Sequence, residues 1–114
     1  MQSQFRVDVR TERGATVITV SGELDLASSP ILEQRLEQVF GSDATVVILD
    51  LRKLDFMDST GLSVLIKAHH TAEQAARRLY LVEGPPQVQR LLSLTGVGER
   101  LSVVETPEDA LPGG

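Results

Sequence analysis

Thr45–Leu51, TVVILDL, and the motif that follows it at Phe56–Leu62, FMDSTGL, decide how this chain folds. The first is a continuous β-branched and apolar run, the pattern of a central strand buried on both faces. After the second, Leu62, Leu65, Ile66, His69, Ala72 and Ala76 fall on one helical stripe, with Arg77 and Arg78 where a helix C-terminus favours cations. FMDSTGL is therefore a strand-to-helix junction, and the helix mouth carries Asp58, Ser59, Thr60 and Gly61.

Outward from this junction the same two periods recur. Towards the C-terminus, RLYLV (78–82) reads as a strand, PPQVQRLLSLTG (85–96) as a short helix that Gly96 can end, and RLSVV (100–104) as a last strand. In ETPEDALPGG, Thr106, Pro107 and Asp109 suit a capped turn of helix, and Pro112–Gly114 are expected to fray. Towards the N-terminus, ASSPILEQRLEQVF (27–40) is a helix with Ser29 placed to cap, Pro30 at its first position, and Leu32, Leu36, Val39 and Phe40 on one face. Before it, FRVDVR (5–10) alternates Phe5, Val7 and Val9 with charged residues, and a hairpin-like turn at ERGA leads into TVITVSGELD (16–25).

The order β-β-α-β-α-β-α-β-α requires right-handed crossovers and a mixed, mostly parallel α/β sheet. About five strands, three main helices and a short C-terminal helix are expected, the first strand antiparallel. Its 114 residues suffice for one hydrophobic core and are too few for two, so residues 1–114 are read as one domain with an ordered core of about 5–111.

Composition narrows the function. A 41% hydrophobic, 24% charged chain is globular in type, and no segment approaches the roughly 20 apolar residues of a spanning helix. Met1–Arg10 holds no apolar signal-peptide core, and the expected compartment is the cytoplasm. The absence of cysteine removes disulfides, thiol catalysis and cysteine-based zinc sites. A net charge of −5, with 11 scattered basic residues, argues against nucleic acid, and one Tyr, three Phe and no Trp leave little for base stacking. His69 and His70 point about 100° apart on a helix, so His69 reads as partly buried and His70 as exposed rather than as a metal pair. No cofactor is implied.

The cluster Asp58-Ser59-Thr60-Gly61 holds more than a helix start needs. One N-cap, worth about 1 kcal/mol, is enough, and Gly61 in the first turn costs about 1 kcal/mol relative to Ala. A hydrolase nucleophile at Ser59 requires a base within about 3 Å, whereas His69 and His70 lie ten and eleven residues along the same helix, about 15 Å away. G-x-S-x-G is absent, as are GxGxxG and GxxxxGK[ST], and the likeness to the Asp-Ser/Thr-Gly of aspartic proteases is broken by an intervening residue. A phosphoacceptor serine fits better. A phosphate of roughly −1.5 to −2 charges is favoured at a helix N-terminus, so the fold tolerates it, while beside Asp58 it would repel and crowd a docked partner. If Asp58 caps the helix, Ser59 faces outward and Gly61 leaves room for a partner's backbone.

SGELD (21–25), the helix opening with Pro30, the strand VVILDL, FMDSTGL and VQRLLSLTGV (88–97) together resemble the STAS domain of bacterial anti-sigma factor antagonists, over about Phe5–Leu111. That resemblance implies a non-enzymatic binder of an anti-sigma factor that is also a GHKL-type serine kinase. Binding releases the sigma factor, phosphorylation ends it, and a PP2C-type phosphatase resets it. Ser59 falls on the acceptor position; Asp25 and Asp58 fall on neighbouring acidic positions. Met57, Thr60, Gly61 and Leu62 are expected to surround the acceptor as contact surface. One departure is Ala76-Arg77-Arg78 where the family often ends this helix with Gly. STAS domains also serve as scaffold subunits of stressosomes and transporter-associated complexes, the alternative role the resemblance leaves open.

Overall fold

The computed structural model describes residues 4–96 and 101–111; the expected fraying of Pro112–Gly114 lies outside them. Strands β1 (Arg6–Glu12), β2 (Ala15–Leu24), β3 (Val46–Met57), β4 (Arg78–Val82) and β5 (Ser102–Val104) form one sheet in the order β1-β2-β3-β4-β5. β1 pairs antiparallel with β2, and every other pairing is parallel. The β1–β2 hairpin closes through Arg13 and Gly14, both at positive φ (49° and 81°), which suits the twist of a two-residue hairpin loop.

Helices α1 (Ser29–Phe40), α2 (Ser59–Gln74) and α3 (Pro86–Leu94) bring Leu32, Leu36, Leu65, Ala68, Val88 and Leu92 into one core with Ile18, Val20, Leu49, Leu51 and Leu81 of the sheet. A smaller core of Ala15, Val17, Ile48 and Val82 lies on the alternate residues and is closed by Leu111, which follows a 3-10 turn at Pro107–Asp109. Alternate β3 residues thus reach two cores, as both-face burial of this strand requires. Asp50, 3% exposed, is held there by Arg52, whose Nε and Nη2 donate at 3.0 and 2.8 Å. Burial pushes the Asp50 carboxyl up, but the Arg52 hydrogen bonds and charge outweigh it and keep it below the ordinary carboxylate range.

Three expectations are corrected. β3 does not stop at Leu51; its pairing with β2 continues through Leu54↔Gly22 and Phe56↔Glu23 to Met57↔Leu24, so Phe56 and Met57 are strand residues. The cap position of α1 is Ser28, not Ser29: Ser29 is the first helical residue, its Oγ buried without a hydrogen-bond partner, and Pro30 is second. α2 ends at Gln74, so Ala76 leaves the buried stripe, Arg78 opens β4, and Arg77 donates from Nη1 to the Ala44 carbonyl at 2.8 Å.

Ala76 occupies the left-handed region (φ 55°), and the Arg77 N–H returns to the Ala72 carbonyl at 2.8 Å, a helix ending that ordinarily takes glycine. Relief of the left-handed penalty exceeds the entropy that glycine adds to the unfolded chain. Ala76→Gly is therefore expected to raise stability by about 0.5 to 1 kcal/mol, read as a melting temperature a few degrees higher. A lower melting temperature would contradict this account of the helix ending.

Candidate functional site at the tips of β2 and β3

The pairing Leu24↔Met57 brings the next residues of the two strands, Asp25 and Asp58, to the same level at the carboxyl edge of the sheet. The Asp58 N–H donates to the Leu24 carbonyl at 3.1 Å and fixes that juxtaposition. Each aspartate then organises the turn it opens. Asp25 Oδ1 accepts from the N–H groups of Ala27 and Ser28 at 3.1 Å, while the Ser28 hydroxyl donates to the Glu23 carbonyl at 2.6 Å and accepts from the Asp25 N–H at 2.9 Å. The β2–α1 loop is thereby closed on itself, an Asx-type arrangement.

Asp58 is the N-cap of α2. Its Oδ1 accepts from Thr60 N–H at 2.9 Å, from Gly61 N–H at 3.1 Å and from the Thr60 hydroxyl. Burial pushes the Asp58 carboxyl up, but the Thr60 hydroxyl and the N–H groups of Gly61, Thr60 and Leu26 together hold it below the ordinary range. It is an anion at neutral pH, fully engaged as a cap.

Ser59, the first residue of α2, is exposed and is relieved of capping by Asp58. Asp25 and Thr60 are half-buried beside it. The other three expected contact residues are not surface groups. Met57 is 3% and Leu62 5% exposed, both in the main core, because the pleat of β3 and the inner face of α2 turn them inward. Gly61 is buried as well: a Cβ there would lie 2.8 Å from Leu24 Cγ and from Met57 Cγ. The close approach that calls for glycine comes from this chain's own core, not from a partner's backbone. These three residues pack the end of β3 and the first turn of α2 into the core.

Leu26 was not singled out by sequence, and it is 73% exposed next to Asp58. A solitary leucine in a loop carries no periodic signal; only the register of β2 with β3 places it at the site. The tip also carries exposed Glu23 and Asp55, so it holds four carboxylates among residues 23–25 and 55–58, with Arg6 and Lys53 level with Ser21 at its base.

Elsewhere, His69 is half-buried and His70 exposed, and both lean on Glu73, with Nε2 and Nδ1 at 3.4 and 3.8 Å from its Oε1. A cavity of about 580 Å³ adjoins them, lined also by Ile66 and Leu101. It opens on the distal half of α2. Among the described residues no group of three or more His, Cys, Asp and Glu forms a metal site, and no helix is long and apolar enough to cross a membrane.

The model of the STAS domain family matches residues 6–110. The anti-sigma F factor antagonist of Paenibacillus polymyxa is 25% identical over 108 residues, covering 94% of this chain and 92% of that one. A crystal structure of an anti-sigma factor antagonist from Mycobacterium paratuberculosis superposes with a TM-score of 0.88 at 28% identity, covering 95% and 92% of the two chains. The unphosphorylated form of the anti-sigma factor antagonist SpoIIAA superposes with a TM-score of 0.75 at 26% identity, covering 94% and 92%. With its five-stranded mixed sheet, three helices and C-terminal 3-10 turn, this chain belongs to the STAS domain family.

Proposed function

We propose that this protein is an anti-sigma factor antagonist whose unphosphorylated form binds an anti-sigma factor serine kinase, releases the sigma factor that kinase holds, and lets go when Ser59 is phosphorylated. The observation that carries the reading is the division of labour at the mouth of α2: Asp58 saturates the cap, and Ser59 stands exposed at the first helical position with its hydroxyl free of that duty. The likeness to anti-sigma factor antagonists over nearly the whole chain supports the same role.

A phosphate on Ser59 would sit at the positive end of α2, so the modified chain keeps its fold. The kinase must bring the γ-phosphate of its nucleotide up to the Ser59 hydroxyl. After transfer, the new phosphate faces the anionic groups of the nucleotide that remains, and the complex is weakened at its centre. A PP2C-type phosphatase restores the hydroxyl.

The test is an intact-mass measurement after incubation with ATP and each purified GHKL-type anti-sigma kinase of the same genome. One of them is expected to add a single phosphate to the wild-type protein and none to Ser59→Ala. A phosphate gained equally by Ser59→Ala, or no gain with any of these kinases, would overturn the assignment.

A further inference from the structure

We infer that Leu26 is an apolar anchor of the docking surface, entering a hydrophobic socket on the anti-sigma kinase whose rim is basic. This inference rests on the proposed function and adds to it the chemistry of the partner's face. Leu26 is 73% exposed, yet its loop is pinned on both sides of it: the Leu24 carbonyl accepts from the Asp58 N–H at 3.1 Å, and Asp25 Oδ1 accepts from the Ala27 and Ser28 N–H groups. An apolar side chain on a loop already fixed by hydrogen bonds loses little backbone freedom on binding, so its burial in a partner's pocket contributes to affinity with less ordering cost.

The charges around it indicate what the socket looks like. Glu23, Asp25, Asp55 and Asp58 share the strand ends and loop that carry Leu26 and Ser59, and among the described residues Arg6 and Lys53, level with Ser21, are the cations nearest to them along the strands. A complementary face places Arg or Lys at its periphery and an apolar pocket within. Rim and centre have opposite preferences: carboxylates are welcome where the kinase's protein surface arrives, and a phosphate is unwelcome where its nucleotide arrives.

Ile31 supplies a matched control, being 51% exposed three positions into α1. Glu33 on that helix reaches Lys67 of α2 at 3.0 Å, and residue 31 lies 200° around the axis from residue 33, so Ile31 faces away from α2 and Ser59. It is as greasy and nearly as exposed, but on the wrong side.

The experiment is titration calorimetry of wild type, Leu26→Ala, Ile31→Ala and the Glu23→Gln/Asp55→Asn double variant against the kinase that phosphorylates Ser59, with thermal melts of each. Burying a leucine side chain corresponds to about 10- to 100-fold in affinity. Leu26→Ala is expected to bind at least about 10-fold more weakly with an unchanged melt, Ile31→Ala to bind like wild type, and the double variant to bind with an affinity that depends less steeply on salt. If wild type and Ile31→Ala bind and Leu26→Ala binds within about twofold of them, the anchor is wrong while the proposed function stands. If no kinase binds the wild-type protein, the proposed function falls and the anchor with it.

Discussion

Ser59→Glu is expected to melt at or slightly above the wild-type temperature while binding its kinase at least about 100-fold more weakly. The two halves of this result come from the same residue for different reasons. At the first position of α2 a carboxylate meets the unsatisfied amides and the positive end of the helix, an interaction of about 0.3 to 1 kcal/mol in favour of the fold. Ser59 is exposed and Asp58 keeps the cap, so nothing in the core has to move to admit the longer side chain. In the proposed complex the same charge would stand where the nucleotide's phosphates come closest, and a few kcal/mol of repulsion and crowding is worth about two orders of magnitude in affinity. Calorimetric binding and a circular dichroism melt of the same preparation measure both halves. A collapsed melt would contradict the helix-dipole argument, and wild-type affinity would remove Ser59 from the interface.

Gly22→Ala is expected to destabilise the protein by about 3 kcal/mol or more. Gly22 lies at an irregularity in the β2–β3 pairing with φ of 91°, a conformation that side chains rarely adopt. A Cβ there would also stand 2.7 Å from the Gln4 carbonyl oxygen and 3.0 Å from Phe5 Cα. The obstruction is backbone, which cannot rotate away as a side-chain tip can, so strain of about 1 to 3 kcal/mol adds to an overpacking cost of similar size. In a chain of this size the melting temperature should fall by about 10 °C or more. A drop of only a degree or two would mean that the N-terminal segment yields freely and that the glycine of the GELD motif has another purpose.

Where the sequence was readable, local physics and tertiary context agreed. Alternation in FRVDVR and the ERGA turn identified the antiparallel hairpin, and DSTG before a helical stripe marked the helix mouth, with Asp58 and Ser59 both candidate caps until the structure chose Asp58. It was least readable where neighbours decide. The continuous run Val46–Leu51 marks where β3 is buried on both sides; beyond Asp50 there is no β4 partner, charges reappear at Arg52, Lys53 and Asp55, and the strand goes on without its signature. Ser28 and Ser29 are chemically equal as caps, and only the path of the β2–α1 loop chooses between them. Gly61 was read as room for a partner's backbone, and the close approach is instead that of Leu24 and Met57 of this chain. Leu26 could be recognised as exposed only once the register of two distant strands was known.

The sheet has five strands at the level of Val82 and three just beyond Asp50; past Arg6↔Ser21, β2 and β3 run on together. The seven residues of β3 beyond Asp50, about 20 Å at strand rise, form a prow that carries Asp25, Leu26 and Ser59 away from β4, β5 and the C-terminal turn. The molecule is thus divided into a hull that supplies stability and a bow that carries the proposed docking site. Drift in the sequence of the hull leaves the bow's geometry in place, whereas a change of one residue in the β2–β3 register would carry Asp25 out of step with Asp58 and unship the whole device.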